Sequence, residues 1–161
     1  MKNILITGGA GYIGSHIAET LVQNKIKIFI VDNLSTGFKK LINKKAQFYN
    51  FNILNTVKLR KIIIENKIDS VIHLAASLSI GVGEKHPKLY YKNNVLGTSS
   101  VLKACSSSLV KNFIFSSTAA VYKEGQKIVN EKSKVSPKSI YGKTKLLAEK
   151  QIILNCKKMK I

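Results

Sequence analysis

The segment NILITGGAGYIGSH, residues 3–16, carries a glycine-rich turn between a short apolar run and a longer amphipathic one. The run at residues 3–7 is predicted to be a buried strand, and residues 12–24 are predicted to be a helix. The glycines fit G-x-G-x-x-G counted from Gly9, or G-x-x-G-x-x-G counted from Gly8. Such glycines permit a tight bend, let the backbone approach a pyrophosphate and let the helix pack against the sheet. The segment therefore predicts a phosphate-binding turn, where backbone N–H groups and the helix dipole attract negative charge.

Outward from this turn, short apolar runs continue to alternate with longer amphipathic ones. Further strands are predicted over residues 27–31, 47–51, 70–74 and 112–117, and further helices over residues 56–66, 89–107 and 141–157. Strands that alternate with helices indicate βαβ units, and continuous apolar runs indicate parallel strands that are buried on both faces. We therefore expect an α/β chain with a Rossmann-like, doubly wound parallel sheet, in one domain over residues 1–161.

An acidic residue, Asp32, sits at the end of the second predicted strand, 18 residues after Gly14. A carboxylate at this place hydrogen-bonds the adenosine ribose hydroxyls of a dinucleotide and repels a 2′-phosphate. Asn33, Leu34 and Ser35 come next, so no basic side chain directly follows to bind such a phosphate. The pattern favours NAD over NADP as the cofactor.

A tyrosine and a lysine stand four residues apart at the start of the last predicted helix. Tyr141 and Lys145 would lie on one face of that helix, one turn apart. A neighbouring ammonium stabilises a phenolate, so Tyr141 could serve as a general base near neutral pH. Thr118 follows the fifth predicted strand, and ligands of open α/β sheets bind beyond the carboxyl ends of the strands. We expect Thr118 and the glycine turn to share one crevice with this pair.

The composition fits a globular protein and excludes several other classes. The 161 residues are 45% hydrophobic and 22% charged, and two cysteines are too few for a disulfide scaffold. The apolar runs are too short to span a membrane, the N-terminus does not have the form of a signal peptide, and a cytoplasmic location is expected. The three histidines lack the spacing of metal ligands, so no metal site is expected.

The charge is strongly positive, with 27 Lys and Arg residues against 8 Asp and Glu, a net charge of +19. A nucleic-acid or anionic-membrane binder is one interpretation. Arg60 is the only arginine, however, although arginine is the residue that reads bases and phosphates bidentately. A bias toward A/T-rich codons explains a chain rich in Lys, Ile and Asn, and we expect no specific nucleic-acid function.

Together, these segments resemble the N-terminal half of the extended short-chain dehydrogenases/reductases, within them the NAD-dependent epimerase/dehydratase family. The matching segments occur in the family's order and cover nearly all of the chain: ILITGGAGYIGSH, VDNLSTG, VIHLAA, HPKLYYKNNVLGT, NFIFSSTAAVY and SIYGKTKLLAEK. Nucleotide-sugar 4-epimerases are the members that they resemble most.

This resemblance implies epimerisation of a UDP-hexose at C4, which interconverts UDP-glucose and UDP-galactose by transient hydride transfer to bound NAD. Tyr141 would remove the proton of the 4-hydroxyl, Thr118 would hydrogen-bond the reacting oxygen, and Lys145 would tune Tyr141 and hold the nicotinamide ribose. The resemblance also implies a homodimer as the assembly to expect. The remaining NAD contacts implied are Gly8, Gly11, Tyr12, Ile13 and Gly14 at the phosphates, Asp32 and Asn33 at the ribose, Asn52 and Ile53 at the adenine, and Leu74, Ala75, Ala76 and Asn94 along the cofactor.

Some positions depart from the family's pattern. Ala119 and Ala120 stand where the 4,6-dehydratases carry an acidic pair, which favours epimerisation over elimination. Asn52 replaces an aspartate, and Leu78 replaces a lysine of the bacterial epimerases. Family members are about twice as long, so we expect a sheet that stops before the sixth strand and lacks the substrate domain. The alternatives to UDP-hexose epimerisation are another NAD-dependent nucleotide-sugar epimerase and a truncated, non-catalytic NAD-binding remnant.

Overall fold

A computed structural model describes residues 2–106, 108–126 and 128–161. Five parallel strands form one sheet in the order β3-β2-β1-β4-β5. The strands are β1 (Asn3–Thr7), β2 (Lys27–Asp32), β3 (Gln47–Asn50), β4 (Ser70–His73) and β5 (Asn112–Phe115). The order reverses at β1, because β2 and β3 lie on one side of it and β4 and β5 on the other. A crevice at such a reversal is where open α/β sheets bind ligands.

Within the described residues, six α-helices connect and cover the strands: α1 (Tyr12–Gln23), α2 (Thr56–Glu65), α3 (Ile80–Lys85), α4 (Pro87–Tyr90), α5 (Gly97–Cys105) and α6 (Ile140–Met159). A π-helical stretch, Tyr91–Leu96, joins α4 to α5, and short 3₁₀ turns lie at Lys39–Leu41 and Ala119–Val121. In the part of the chain that the structure describes, no helix is both long and apolar enough to cross a membrane.

Both faces of the sheet are covered by apolar side chains, which accounts for the continuous apolar runs in the strands. Leu5 of β1 belongs to a buried cluster with residues of α2 and α5. Its neighbours Ile4 and Ile6 point to the opposite face and pack in a second cluster with Ala18 of α1. Alternating side chains of one strand therefore reach two separate cores, as a doubly wound sheet requires. The predicted Rossmann-like fold class is confirmed.

The structure revises the predicted elements between β4 and β5. The helix predicted over residues 89–107 consists of α4, the π-helical stretch and α5, and its last residue lies outside the described residues. Helix α3 was not predicted, because two glycines in IGVGEK disfavour a helix. The Ser79 side chain caps this helix by accepting a hydrogen bond from the N–H of Val82, and the Tyr90 hydroxyl donates to the Ser79 carbonyl.

The ends of the remaining elements differ from the predicted ones by only a few residues. Strand β2 extends one residue beyond the predicted range and includes Asp32, which ends the strand as expected. Strand β5 ends at Phe115, which leaves Ser116, Ser117 and Thr118 in the segment beyond the sheet. The polar residues at the ends of both strands therefore lie at the carboxyl edge of the sheet.

Candidate active site

The glycine turn after β1 and the segment after β4 are packed directly against each other. Gly8 has a φ of +76°, and a Cβ on it would lie 2.6 Å from the backbone nitrogen of Ala75. A residue with a side chain would therefore meet both backbone strain and a clash. The two segments form adjoining walls at the carboxyl edge of the sheet, with the half-buried residues Leu74, Ala75 and Ala76 on one of them.

Two further glycines of the turn, Gly11 and Gly14, have different surroundings. A Cβ on Gly14 would lie 2.4 Å from the Gly8 carbonyl oxygen, so α1 could not pack as closely on the turn. A Cβ on Gly11 would meet only the Gly8 oxygen, at 3.4 Å, and otherwise open space. The space above Gly11 lies at the start of α1, where no side chain caps the helix and Tyr12 and Ile13 are exposed. This open cradle fits the pyrophosphate of a dinucleotide, which the free N–H groups of the first helical turn can bind.

Asp32 ties the end of β2 to the glycine turn. One oxygen of its carboxylate accepts a hydrogen bond from the Ala10 N–H at 3.0 Å, and the other accepts from the Leu34 N–H at 2.8 Å. Each oxygen keeps a further lone pair, so the carboxylate can still accept hydrogen bonds from ribose hydroxyls. The neighbouring Asn33 is exposed, and its side-chain oxygen accepts from the Ser35 N–H at 3.1 Å.

An open cleft of about 680 Å³ lies beyond the end of β3. Its lining includes Asn52, Asn55 and Lys92. The side-chain oxygen of Asn52 accepts a hydrogen bond from the Leu54 N–H at 2.9 Å. Ile53 is buried instead, and its side chain lies against Gly97 at the start of α5.

Helix α6 begins against the segment that contains Thr118. The Ser139 side chain caps this helix by accepting from the Gly142 N–H at 3.1 Å, and Glu84 of α3 accepts from the Ile140 N–H at 2.7 Å. A Cβ on Gly142 would lie 2.4 Å from the Ala120 oxygen, so the first turn of α6 contacts the residues after Thr118 closely. The half-buried Tyr141 is in this first turn.

The Thr118 side chain itself begins the 3₁₀ turn at Ala119–Val121. Its hydroxyl oxygen accepts a hydrogen bond from the Ala120 N–H at 3.1 Å, and its own proton remains available to a ligand. Ala119 and Ala120 follow it and carry no ionisable group. Leu78, the other position that departs from the family pattern, is exposed.

Lys145 is buried at the carboxyl edge of the sheet with only 2% of its surface exposed. Its Nζ lies 3.9 Å from the centre of the Phe115 ring at the end of β5, a cation–π contact. Burial lowers the pKa of Lys145 to about 8, and the nearby Glu149 carboxylate partly opposes this change. Among the residues that the structure describes, no hydrogen-bond acceptor or carboxylate is paired with this ammonium. The side chain is buried as a whole, but its Nζ is not one of the fully enclosed atoms without a partner. An accessible ammonium at this place fits a ligand hydroxyl, such as that of the nicotinamide ribose.

Asn94 joins three segments of the site. Its side-chain oxygen accepts from the Ser77 N–H at 2.7 Å, and its amide nitrogen donates to the Ser77 carbonyl and to the Thr144 hydroxyl, both at 3.1 Å. Thr144 in turn donates to the Tyr141 carbonyl at 2.8 Å. The resemblance implied that Asn94 lies along the cofactor, and the structure places it as a brace between the segment after β4 and the first turn of α6.

A hydrogen-bonded chain continues from Asn94 to the buried His73. The Thr98 hydroxyl donates to the Asn94 carbonyl at 2.7 Å, so it must accept from the Nε2–H of His73, 2.9 Å away. The Nδ1 of His73 then accepts from the Thr7 hydroxyl at 2.6 Å. Burial and the nearby Lys145 lower the pKa of His73 to about 3, so its ring is neutral beside the ammonium.

Three site residues were not identified in the sequence. Glu149 accepts a hydrogen bond from the Ser117 hydroxyl and follows Lys145 by one helical turn, a spacing from which it could have been found. Thr144 acts through its hydroxyl, which accepts from the Asn94 amide and donates to the Tyr141 carbonyl. Ser77 acts through its backbone N–H, and neither residue belongs to a recognisable pattern.

Comparisons with known proteins agree with this arrangement. Residues 4–160 match the model of a family described as the NAD dependent epimerase/dehydratase family. A UDP-glucose 4-epimerase of Lactobacillus helveticus is 40% identical over 148 residues, which are 91% of this chain and 45% of that protein. The crystal structure of a Brucella ovis UDP-glucose 4-epimerase in complex with NAD superposes with a TM-score of 0.95 and 35% identity, over all of this chain and 50% of the other. A Thermotoga maritima UDP-glucose 4-epimerase with UDP-glucose gives a TM-score of 0.94 and 34% identity, over 99% of this chain and 52% of that one.

The chain spans about half the length of the relatives that it matches. Within that half, the glycine turn, the acidic end of β2 and the Tyr-x-x-x-Lys pair occupy the positions expected from the sequence. The family match covers nearly all of the chain, and the relatives share both its sequence and its fold. The chain therefore belongs to the NAD dependent epimerase/dehydratase family.

Proposed function

We propose that this chain binds NAD and catalyses the epimerisation of a UDP-hexose at C4, which interconverts UDP-glucose and UDP-galactose. The observation that carries this proposal is Lys145, a lysine with a buried side chain one helical turn after Tyr141, whose ammonium pairs with no acceptor among the described residues at the ligand-binding edge of the sheet. The names of the relatives support the same reaction, since they include UDP-glucose 4-epimerases with NAD and with UDP-glucose.

The binding part of the proposal assigns the cofactor to the crevice along the carboxyl edge. Bound there, NAD supplies the acceptor and later the donor of the hydride at C4 of the sugar. Lys145 donates to the nicotinamide ribose, and the first turn of α1 binds the phosphates. The other proposed contacts are Gly8, Gly11, Tyr12, Ile13 and Gly14 at the phosphates, Asp32 and Asn33 at the adenosine ribose, Asn52 and Ile53 at the base, and Leu74, Ala75, Ala76 and Asn94 along the cofactor.

The proton chemistry is assigned to Tyr141, Lys145 and Thr118. Tyr141 removes the proton from the 4-hydroxyl and returns it at the end of the cycle, and the Lys145 ammonium stabilises its phenolate. Thr118, whose hydroxyl proton is available, hydrogen-bonds the reacting oxygen of the sugar. These three side chains would therefore hold and move the proton while the hydride is exchanged.

Epimerisation is preferred to dehydration because of the residues beside Thr118. Elimination of water from the sugar needs an acid and a base close to the reacting carbons. Ala119 and Ala120 supply neither, although they follow Thr118 directly. The pair thus supports a reaction that needs only one proton-transfer group, Tyr141.

A second candidate is an NAD-binding protein without catalytic activity. The observation that favours it is the site itself, because most of the groups gathered at the carboxyl edge are assigned to NAD and only Tyr141 and Thr118 to the sugar. A substrate must be held in a near-attack geometry for catalysis, and binding of NAD does not need the same groups. The two candidates therefore differ in turnover but not in cofactor binding.

The deciding experiment is an assay of the purified chain with NAD and UDP-galactose, with UDP-glucose measured by chromatography. We expect conversion by the wild-type chain and a loss of at least about a thousandfold in Tyr141→Phe, which lacks the proton-transfer group but still binds NAD. Tyr49→Phe is the control, because Tyr49 lies on β3 and its hydroxyl, within the described residues, accepts a hydrogen bond only from the Asn66 amide, at 3.2 Å. NAD binding without turnover would support the second candidate, and absence of NAD binding would overturn both.

A further inference from the structure

Two opposite charges, Lys145 and Glu149, stand four residues apart on α6 and do not pair. Side chains at this spacing lie on one helical face, where an ammonium and a carboxylate commonly form an ion pair. Lys61 and Glu65 on α2 have the same spacing in the same order, and they pair at 3.8 Å. No ion pair joins Lys145 to Glu149, although both belong to the described residues. A contact outside the helix must therefore keep these two groups apart.

Each of the two charged groups has its own contact on the segment at the end of β5. The Nζ of Lys145 lies 3.9 Å from the centre of the Phe115 ring, and the Ser117 hydroxyl donates to the Glu149 carboxylate. Backbone hydrogen bonding to β4 continues one residue past the end of β5, so this segment stays extended beside the sheet. Side chains two positions apart in an extended chain project to the same side, as Phe115 and Ser117 do toward α6. One short segment thus gives the ammonium an aromatic face and the carboxylate a hydroxyl.

The surroundings identify Glu149 as the group that could neutralise this ammonium. The titratable groups that face the region from the packed elements are His73 of β4, Glu84 of α3, Tyr90 of α4, and Tyr141 and Glu149 of α6. Burial and Lys145 lower the pKa of His73 to about 3, and burial raises the pKa of Tyr90, so both are neutral at pH 7. Glu84 accepts from the backbone N–H at the start of α6 at 2.7 Å. Glu149 is the only acidic residue of α6 and follows Lys145 by one turn.

We propose that Ser117 is a positioning residue: by holding the Glu149 carboxylate, it keeps the Lys145 ammonium unpaired and available to a ligand hydroxyl. Without this hydroxyl the carboxylate turns toward the ammonium, as it does in the pair on α2. A paired ammonium has fewer protons to donate to the nicotinamide ribose, and its charge is partly cancelled for a phenolate at Tyr141. The inference rests on the proposed function for the identity of the ligand, and it adds a residue that acts through Glu149.

A cycle of variants separates the hydrogen bond from the charge. Ser117→Ala removes the donor and leaves the carboxylate, whereas Glu149→Gln keeps an acceptor for the Ser117 hydroxyl and removes the charge. The double variant removes both, and Ser117→Thr retains the hydroxyl. Ser116→Ala is the matched control, because it makes the same change one position earlier and the Ser116 hydroxyl bonds to no other described residue. All variants are made in the full chain.

The first readout is the pKa of Lys145 without ligand, followed by the Cε resonance of isotope-labelled lysine in NMR spectra and assigned with Lys145→Met. Starting from a pKa of about 8, we expect the titration midpoint to move upward by roughly one pH unit in Ser117→Ala, because a paired carboxylate stabilises the charged form. In the Glu149→Gln background, Ser117→Ala should leave the midpoint unchanged. An upward shift of equal size in both backgrounds would indicate water entering a loosened site and would overturn the inference, as would an unchanged midpoint in Ser117→Ala.

The second readout is the dissociation constant of NAD, measured by calorimetric titration at about pH 7. We expect Ser117→Ala to bind roughly tenfold more weakly, because the ligand must displace a carboxylate, and the double variant to bind within about threefold of Glu149→Gln alone. Ser117→Thr and Ser116→Ala should bind like the wild-type chain. Weakening by Ser117→Ala that persists in the Glu149→Gln background would contradict the inference. Failure of the wild-type chain to bind NAD would overturn the proposed function, while the titration of Lys145 would still decide the role of Ser117.

Discussion

Lys145 must be charged to stabilise a phenolate, and its surroundings oppose that charge. Its side chain, on α6, is buried with the Phe115 ring on one side and the neutral His73 nearby. Glu149 favours the charged form, but its carboxylate is engaged by the Ser117 hydroxyl. With a pKa of about 8, Lys145 is still mostly protonated at neutral pH, at a cost to the folded state. The charged Lys145 therefore lowers the stability of the folded chain while it supplies a proton donor in the crevice.

The pH dependence of unfolding measures this cost. The pKa of Lys145 is about 8 in the folded chain and has its ordinary value of 10.5 in the unfolded one, so the unfolded chain holds more protons between these values. Stability should therefore rise with pH across this window. We expect the free energy of unfolding of the wild-type chain, relative to Lys145→Met, to increase by about 2 kcal/mol from pH 7 to pH 9.5.

Urea unfolding at several pH values tests this expectation, with Lys143→Met as the control. Lys143 is on the same helix and carries the same charge, but it is exposed. Its removal should shift the curve without changing its slope with pH. Parallel curves for the wild-type chain and Lys145→Met would contradict the assigned change in pKa.

At the scale of residues, the sequence predicted the site residues that belong to a sequence motif, but not the residues that hold them in place by hydrogen bonds. Tyr141 and Lys145 could be predicted because an i, i+4 spacing places two side chains on one helical face. The brace from Asn94 to Thr144 could not, because their side chains meet across 50 positions of sequence. Such a contact depends on how the helices pack, which no local pattern encodes.

Gly11 and Gly14 have different structural functions in the turn between β1 and α1. Gly14 permits the close packing of the helix on the turn, whereas Gly11 leaves an open space at the start of the helix. The sequence spacing predicted both positions, but only the atoms around each glycine in the structure show that their functions differ. An alanine at each position should consequently produce a different failure.

We expect Gly14→Ala to lower the melting temperature by about 5 °C or more, since its Cβ would lie 2.4 Å from the Gly8 oxygen. Gly11→Ala should melt within about 2 °C of the wild-type chain but bind NAD at least roughly tenfold more weakly, because the methyl group would fill the space left for the phosphates. Circular dichroism without ligand and calorimetric titration with NAD separate the two effects. Gly81→Ala is the control, because a Cβ there meets nothing within 4 Å. Unweakened binding of NAD by Gly11→Ala would contradict the assignment of the phosphate site.

At the scale of elements, the sequence was most informative where hydrophobic periodicity is strong. All five predicted strands occur in the sheet. Strands β1, β2 and β4 are almost wholly buried, whereas the outer strands β3 and β5 are only partly buried. Helix α3 was missed because Ser79 and Tyr90 hold a glycine-containing segment that has little tendency to form a helix alone. Tertiary contacts therefore decided the local structure there.

The whole molecule combines a large positive charge with apolar side chains on its surface. The net charge is +19, and β5 is an edge strand with Ile114 57% exposed. Ile153 and Leu154 of α6 are also largely exposed. Like charges keep copies of the chain apart, whereas an apolar edge strand favours association. The balance between these two forces depends on salt.

We expect the chain to be monomeric at about 0.1 M salt and to associate at about 1 M, where the Debye length falls from about 10 Å to about 3 Å. Ile114→Lys should reduce the association, because it places a charge on the edge strand. Ile128→Lys adds the same charge at an exposed position outside the sheet and serves as the control. Sedimentation velocity at both salt concentrations measures the effect. Equal association of the two variants would show that the edge strand is not the contact surface.

The π-helical stretch at Tyr91–Leu96 determines in which direction around the helix axis the side chains of α5 point. An α-helix turns by roughly 100° per residue, and the wider turns here take up residues that ordinary winding would place elsewhere around the axis. In this winding, Asn94 reaches Thr144 on one side while Thr98 reaches His73 on the other. Shortening the stretch by one residue would leave a continuous helix, yet swing Thr98 about a quarter of a turn away from the imidazole. The contact of Asn94 with α6 and the contact of Thr98 with the buried His73 therefore both depend on the π-helical turns between α4 and α5.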